Sequence, residues 1–104
     1  MKELKEEVIE FAKKLNSTNL SPLRSGNVSA RTTRDGIDGF LITPSGKKYE
    51  VLKVEDIVFL ETNKEYDFLK MFNSGLNPSS EWRFHQDIYQ KKKEAKAIVH
   101  AHSP

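Results

Sequence analysis

The sequence predicts an α/β layered domain whose early strands lie antiparallel, at least in part. Three observations predict it. A helix-period segment opens the chain, short apolar runs joined by hairpin-type turns follow, and a second helix-period segment leads into a final apolar run.

Residues 2–15, KELKEEVIEFAKKL, set Leu4, Val8, Phe11, Ala12 and Leu15 on one stripe at helical spacing. Glu10 precedes Lys14 by four residues, a favourable pair for the wet side of that helix. Asn16, Ser17 and Asn19 break the pattern. In SPLRSGNVSART, Val28 and Ala30 alternate with Ser29 and Arg31, which predicts a strand starting after Asn27. RDGIDG reads as a hairpin turn, because Asp and Gly tolerate the positive φ such turns require. GFLITP is the returning strand, stopped at Pro44, with a second turn at Pro44-Ser45-Gly46. DIVFLE, residues 56–61, is a third strand, whereas residues 62–78 carry Tyr66, Phe68, Leu69, Met71 and Phe72 without a dominant period.

From Ser79, SSEWRFHQDIYQKKK reads as a helix with a serine cap and an acid in its first turn; Trp82, Ile88 and Tyr89 supply its buried side. KKKEAK is its solvated end, where lysines suit the helix dipole. AIVHAH closes the order as a strand.

Composition narrows the function classes. A length of 104 residues bounds one small domain. Hydrophobic residues at 37% and charged residues at 31% are those of a globular protein, and a net charge of +2 argues against nucleic acid or a membrane surface as partner. The absence of cysteine excludes disulfide scaffolds, thiolate zinc sites and cysteine nucleophiles. No apolar stretch is long enough for a membrane span, and MKELKEEVIE is too charged for a signal peptide, so a soluble cytoplasmic protein is expected.

The candidate chemistry lies in AIVHAH and in three loops. Alternate positions of a strand share a face, so His100 and His102 point the same way, with Cβ atoms about 7 Å apart. Imidazoles so spaced can converge on one zinc-like ion. The same spacing suits a polar strand face or partners for buried carbonyls, and two ligands do not complete a catalytic zinc site. His85, mid-helix, reads as a packed or hydrogen-bonded histidine rather than a third ligand. The segments SGN (25–27), TPSG (43–46) and PSS (78–80) each offer hydroxyls or amides beside a glycine or helix start, which suits either a turn or cap or a phosphate cradle. Glu81 is either a first-turn acid in the helix dipole or a general acid/base beside that cradle.

Together GNVSAR, FLITPSGKKYE, PSSEWRFH and AIVHAHSP resemble the class II aldolase/adducin family, and within it the branch that cleaves L-fuculose phosphate. The resemblance runs from the first helix to Pro104, and PSSEW followed by the HAH strand is its specific part. It implies a three-layer α/β/α sandwich with a largely antiparallel central sheet, incomplete here at the C-terminus, the 104 residues being the N-terminal part of one such domain. Residue by residue, it implies that Asn27, Thr43, Ser45, Ser79 and Ser80, with N–H groups around Gly26 and Gly46, hold a substrate phosphate. His100 and His102 become two of three zinc ligands and Glu81 the catalytic acid/base.

The implied reaction is cleavage of a ketose 1-phosphate to dihydroxyacetone phosphate and an aldehyde, in a cyclic homotetramer. Family members continue beyond this strand and supply a third histidine there, so these residues alone are expected to bind zinc weakly and to be inactive. Pentulose-phosphate 4-epimerases of the family carry aspartate after the paired serines, and Glu81 favours the aldolase. A non-catalytic scaffold of the adducin type is the third alternative, against which both histidines and Glu81 count.

Overall fold

The computed structural model describes residues 2–17, 27–45 and 49–100. Helix α1 (Lys2–Ser17) precedes strands β1 (Asn27–Arg34) and β2 (Ile37–Ile42). Two short 3-10 turns, Tyr49–Val51 and Val54–Asp56, lead to β3 (Val58–Glu61). Helices α2 (Phe68–Asn73) and α3 (Trp82–Lys91) and strand β4 (Ala97–His100) complete the order. No helix among the described residues is long and apolar enough to cross a membrane.

The four strands form one sheet in the order β3-β2-β1-β4, every neighbouring pair antiparallel. The β1–β2 hairpin turns at Asp35 (φ 54°) and Gly36 (φ 79°), the two positive-φ positions that the Asp-Gly pair predicts. Strand alternation then sorts the core. Val28, Leu41 and Phe59 face α1, where Val8, Ile9, Ala12, Tyr49, Leu52 and Ile57 join them. Phe40, Ile42, Val58 and Leu60 face the other way and pack with Met71 of α2 and with Trp82 and Tyr89 of α3. The result is the expected three layers: α1, the sheet, and α2 with α3.

Four expectations need correction. The α1 stripe is turned toward Ile9, which is buried, while Phe11 is 48% exposed and borders an open apolar groove with Val99 of β4. The strand expected from residue 56 starts at Val58, because Lys53 to Asp56 close a tight turn in which the Asp56 carboxylate accepts from Lys53 N–H at 2.9 Å. The stretch without a period contains α2, started by Asp67, whose carboxylate accepts from the N–H groups of Leu69 (2.9 Å) and Lys70 (3.2 Å). Finally, α3 begins at Trp82 rather than Ser79. Pro78 bridges to Pro44, and Ser79 N–H donates to Thr43 O at 2.8 Å, so Ser79 is tied to the loop after β2; Ser80 and Glu81 form a turn closed by Trp82 N–H on Ser79 O (3.0 Å), and Glu81 takes the N-cap position.

Candidate active site

The antiparallel order brings one end of the sheet together. Asn27 at the start of β1 pairs with His100 of β4, and Ser29 pairs with Ile42 at the end of β2, next to Thr43. The 77–79 segment is laced to the loop after β2 by Ser45 N–H to Asn77 O (3.0 Å) and Ser79 N–H to Thr43 O (2.8 Å). The start of α3 therefore arrives at the same end. Thr43, Ser45, Ser79, Ser80, Glu81, Asn27 and His100 share this region; Gly26, Gly46 and His102 lie outside the described residues.

Helix α3 also presents a polar edge to the sheet. Glu81, His85 and Tyr89 recur every four residues, and Asn27, Ser29 and Arg31 recur every two along β1. Four helical residues rise about 6 Å and two strand residues about 6.6 Å, so the two rows stay in step. Asn27 Nδ2 donates to Glu81 Oε2 at 2.8 Å. Ser29 Oγ meets His85 Nδ1 at 2.6 Å and the Tyr89 hydroxyl at 2.8 Å. His85 Nε2 meets Asn27 Oδ1. Arg31 closes the row, donating to the carbonyls of Tyr89 (2.6 Å), Lys92 (3.2 Å) and Ala95 (2.8 Å) and to Asp38 (2.9 Å).

His100 Nδ1 donates to the same Oε2 of Glu81. Both side chains are about one-third exposed (32%), and the Phe84 ring lies 5.1 Å from the His100 ring. His85, by contrast, is fully buried. Burial lowers its pKa to about 4, with the Glu81 charge pulling the other way and His100 adding a smaller push down. It is therefore a neutral, hydrogen-bonded histidine, as the sequence suggests. Burial likewise pushes the Tyr89 hydroxyl up to about 12, so it remains protonated.

The expected phosphate residues differ in access. Ser80 is exposed and Ser45 half-buried. Ser79 is largely buried and its Oγ accepts from Glu81 N–H at 3.4 Å. Thr43 is buried, its hydroxyl accepting from Val28 N–H at 3.3 Å. Asn27 is buried as well, with both ends of its amide engaged by His85 and Glu81. Sequence reasoning missed Ser29, Tyr89 and Arg31 as parts of this region. The matched spacings Glu-x3-His-x3-Tyr and Asn-x-Ser-x-Arg were the available signal.

Among the described residues no group of three His, Asp or Glu side chains is assembled that can hold a metal ion. The donors present nevertheless suit a zinc-like divalent cation in kind. One imidazole is already turned against a carboxylate, and such a pairing orients metal-binding histidines. Since His100 meets Glu81 through Nδ1, Nε2 is the ring nitrogen by which it would bind a cation.

The chain matches the Class II Aldolase and Adducin N-terminal domain model over residues 6–104. It is 38% identical over 101 residues to an L-fuculose phosphate aldolase of Haemophilus influenzae, covering 97% of this chain and 42% of that protein. It is 37% identical over 101 residues to a 5-methylthioribulose-1-phosphate/5-deoxyribulose-1-phosphate aldolase of Rhodospirillum rubrum, covering 97% and 41%. Its fold superposes on that of a solved L-fuculose 1-phosphate aldolase with a TM-score of 0.76 at 35% identity, covering 97% of this chain and 44% of the other. The chain thus spans about two fifths of the length of the curated relatives it matches.

Proposed function

The chain belongs to the class II aldolase and adducin family, and we propose that the protein is a metal-dependent aldolase splitting a ketose 1-phosphate into dihydroxyacetone phosphate and an aldehyde. The single observation that carries this reading is Glu81, a carboxylate at a helix start meeting His100 on one side and Asn27 on the other. A substrate such as L-fuculose 1-phosphate is supported by the names of the relatives, which are fuculose- and ribulose-phosphate aldolases.

His100 and His102 would hold the cation, zinc by the chemistry of its ligands, and when bound it supplies Lewis acidity to the ketose oxygens. Glu81 moves the proton. In cleavage the C4 hydroxyl gives up its proton to solvent and becomes the aldehyde carbonyl as the bond between C3 and C4 breaks. The electron pair of that bond stays with the fragment that becomes dihydroxyacetone phosphate, and Glu81 delivers a proton to C3 and is recharged from solvent. In condensation Glu81 removes that proton. Asn27 Nδ2 donates to Oε2 and holds the carboxylate in place between turnovers. Ser45, Ser79 and Ser80, with Thr43 and the N–H groups around Gly26 and Gly46, would receive the phosphate. Ser80 supplies the accessible hydroxyl at the head of α3 and Thr43 the buried support beneath Ser79. Asn27 would touch the phosphate only at the edge, since its amide is already engaged.

A homotetramer and a cytoplasmic setting belong to the same proposal, as does the assignment of residues 1–104 to the N-terminal part of one aldolase-like domain. The test is to load the full-length protein with zinc and offer several ketose phosphates, measuring aldehyde release against epimerisation at C4. Aldehyde release supports the aldolase. Epimerisation without cleavage places the protein with the 4-epimerases, and neither reaction leaves a scaffold of the adducin type.

A further inference from the structure

The row from Glu81 to Tyr89 has a direction. An ionised carboxylate only accepts hydrogen bonds, so Asn27 must present Nδ2 to Glu81 and Oδ1 to His85. Oδ1 only accepts as well, which places the single proton of the neutral His85 ring on Nε2. Nδ1 is then an acceptor and takes the Ser29 O–H, and Ser29 Oγ in turn accepts the Tyr89 O–H. Each buried polar atom in this row thereby has one assignment, and reversing any one bond sets two donors or two acceptors face to face.

We infer that His85 is a positioning residue: acting through Asn27, its Nε2–H fixes the amide that aims the Glu81 carboxylate. The inference rests on Glu81 as the proton carrier. His85 is fully buried, 2.6 Å from Ser29 and four residues from Glu81 on the same helix edge, so it meets substrate nowhere and acts only through its neighbour. A loose carboxylate at the helix start would swing between rotamers, whereas an amide locked at both ends offers it one donor at one place.

Nitrogen NMR of the histidine rings in the full-length protein tests this directly. The His85 ring should carry its proton on Nε2 and a bare Nδ1 from pH 6 to 8. A proton on Nδ1 overturns the inference without any variant. Two variants supply the second arm. Glutamine at position 85 places an amide N–H where Nε2–H stood, whereas asparagine reaches only the Nδ1 position. H85Q should keep the Asn27 side-chain amide protons slow to exchange, and H85N should lose that protection. Outer-sphere changes of this kind cost about 10- to 100-fold, so kcat of H85N should fall that far with KM within about 3-fold, while H85Q stays near the parent. Equal losses in both variants, or an Asn27 amide undisturbed by H85N, overturn the positioning role. If the parent cleaves no carbon–carbon bond, the proposed activity fails by itself, and the ring tautomer and amide exchange still decide the role of His85.

Discussion

Asn27 and Glu81, 54 residues apart in the chain, meet at 2.8 Å, the side-chain amide of the first donating to Oε2 of the second. Through this contact the start of β1 and the start of α3 become one unit, with His100 of β4 on the same carboxylate oxygen.

Replacing Asn27 with leucine removes the amide from a buried position that His85 and Glu81 both use. It leaves the His85 Nε2–H without an acceptor, and a buried donor so stranded costs about 1–3 kcal/mol. N27L should lower the urea midpoint accordingly with an unchanged denaturant slope. A variant as stable as the parent would show that the buried row contributes nothing to folding.

Stability should depend on pH through His85. Its pKa falls from the ordinary 6.5 to about 4 in the folded chain, so below 6.5 the unfolded chain binds the extra proton. Stability is therefore full above pH 6.5 and is lost as pH drops toward 4, at about 1.4 kcal/mol per pH unit and about 3 kcal/mol in total. Chemical denaturation at pH 7 and pH 4.5 in the parent and in H85Q checks it, since the variant should lose that part of the slope.

Arg31 ties α3 to the connection before β4 through three carbonyls, holds Asp38, and lies 4.9 Å from the Tyr89 ring centre. Lysine cannot reproduce that planar fork. R31K should destabilise the domain by about 1.5–3 kcal/mol, and hydrogen exchange should rise first in residues 92–100.

Gly39 is required by packing rather than by its backbone angle. A Cβ there would lie 2.4 Å from the Phe59 ring and 2.5 Å from the Leu60 carbonyl oxygen. G39A should cost about 1–3 kcal/mol or more, read as a lower thermal midpoint, because the carbonyl belongs to the paired strand and cannot move aside.

The parts of this fold legible in the sequence are those set by local chemistry. Asp35-Gly36 marks its turn, the alternation of Phe40, Leu41 and Ile42 sorts two cores, and the α1 stripe is visible from Leu4, Val8 and Ala12. Helix α2 was missed because six residues contain too few turns to show a period, although Asp67 is a fair cap signal. The true start of α3 was hidden because Ser79 is held by Thr43, a partner from a different strand connection that no local propensity reveals. The same holds for the site. Glu81 and His100 were legible as residue types, but their meeting on one oxygen depends on β4 pairing with β1, and the donor role of Asn27 depends on a histidine buried beneath it.

The central claim is that Glu81 carries the proton at the carbon where the bond is made and broken. It is tested most directly by incubating the zinc-loaded full-length protein with dihydroxyacetone phosphate in D2O and following loss of the C3 proton signal by NMR. The parent should exchange one of the two C3 hydrogens stereospecifically, and E81Q, with unchanged zinc content, should do so at least about 100-fold more slowly. Equal exchange rates in the two proteins would contradict the account.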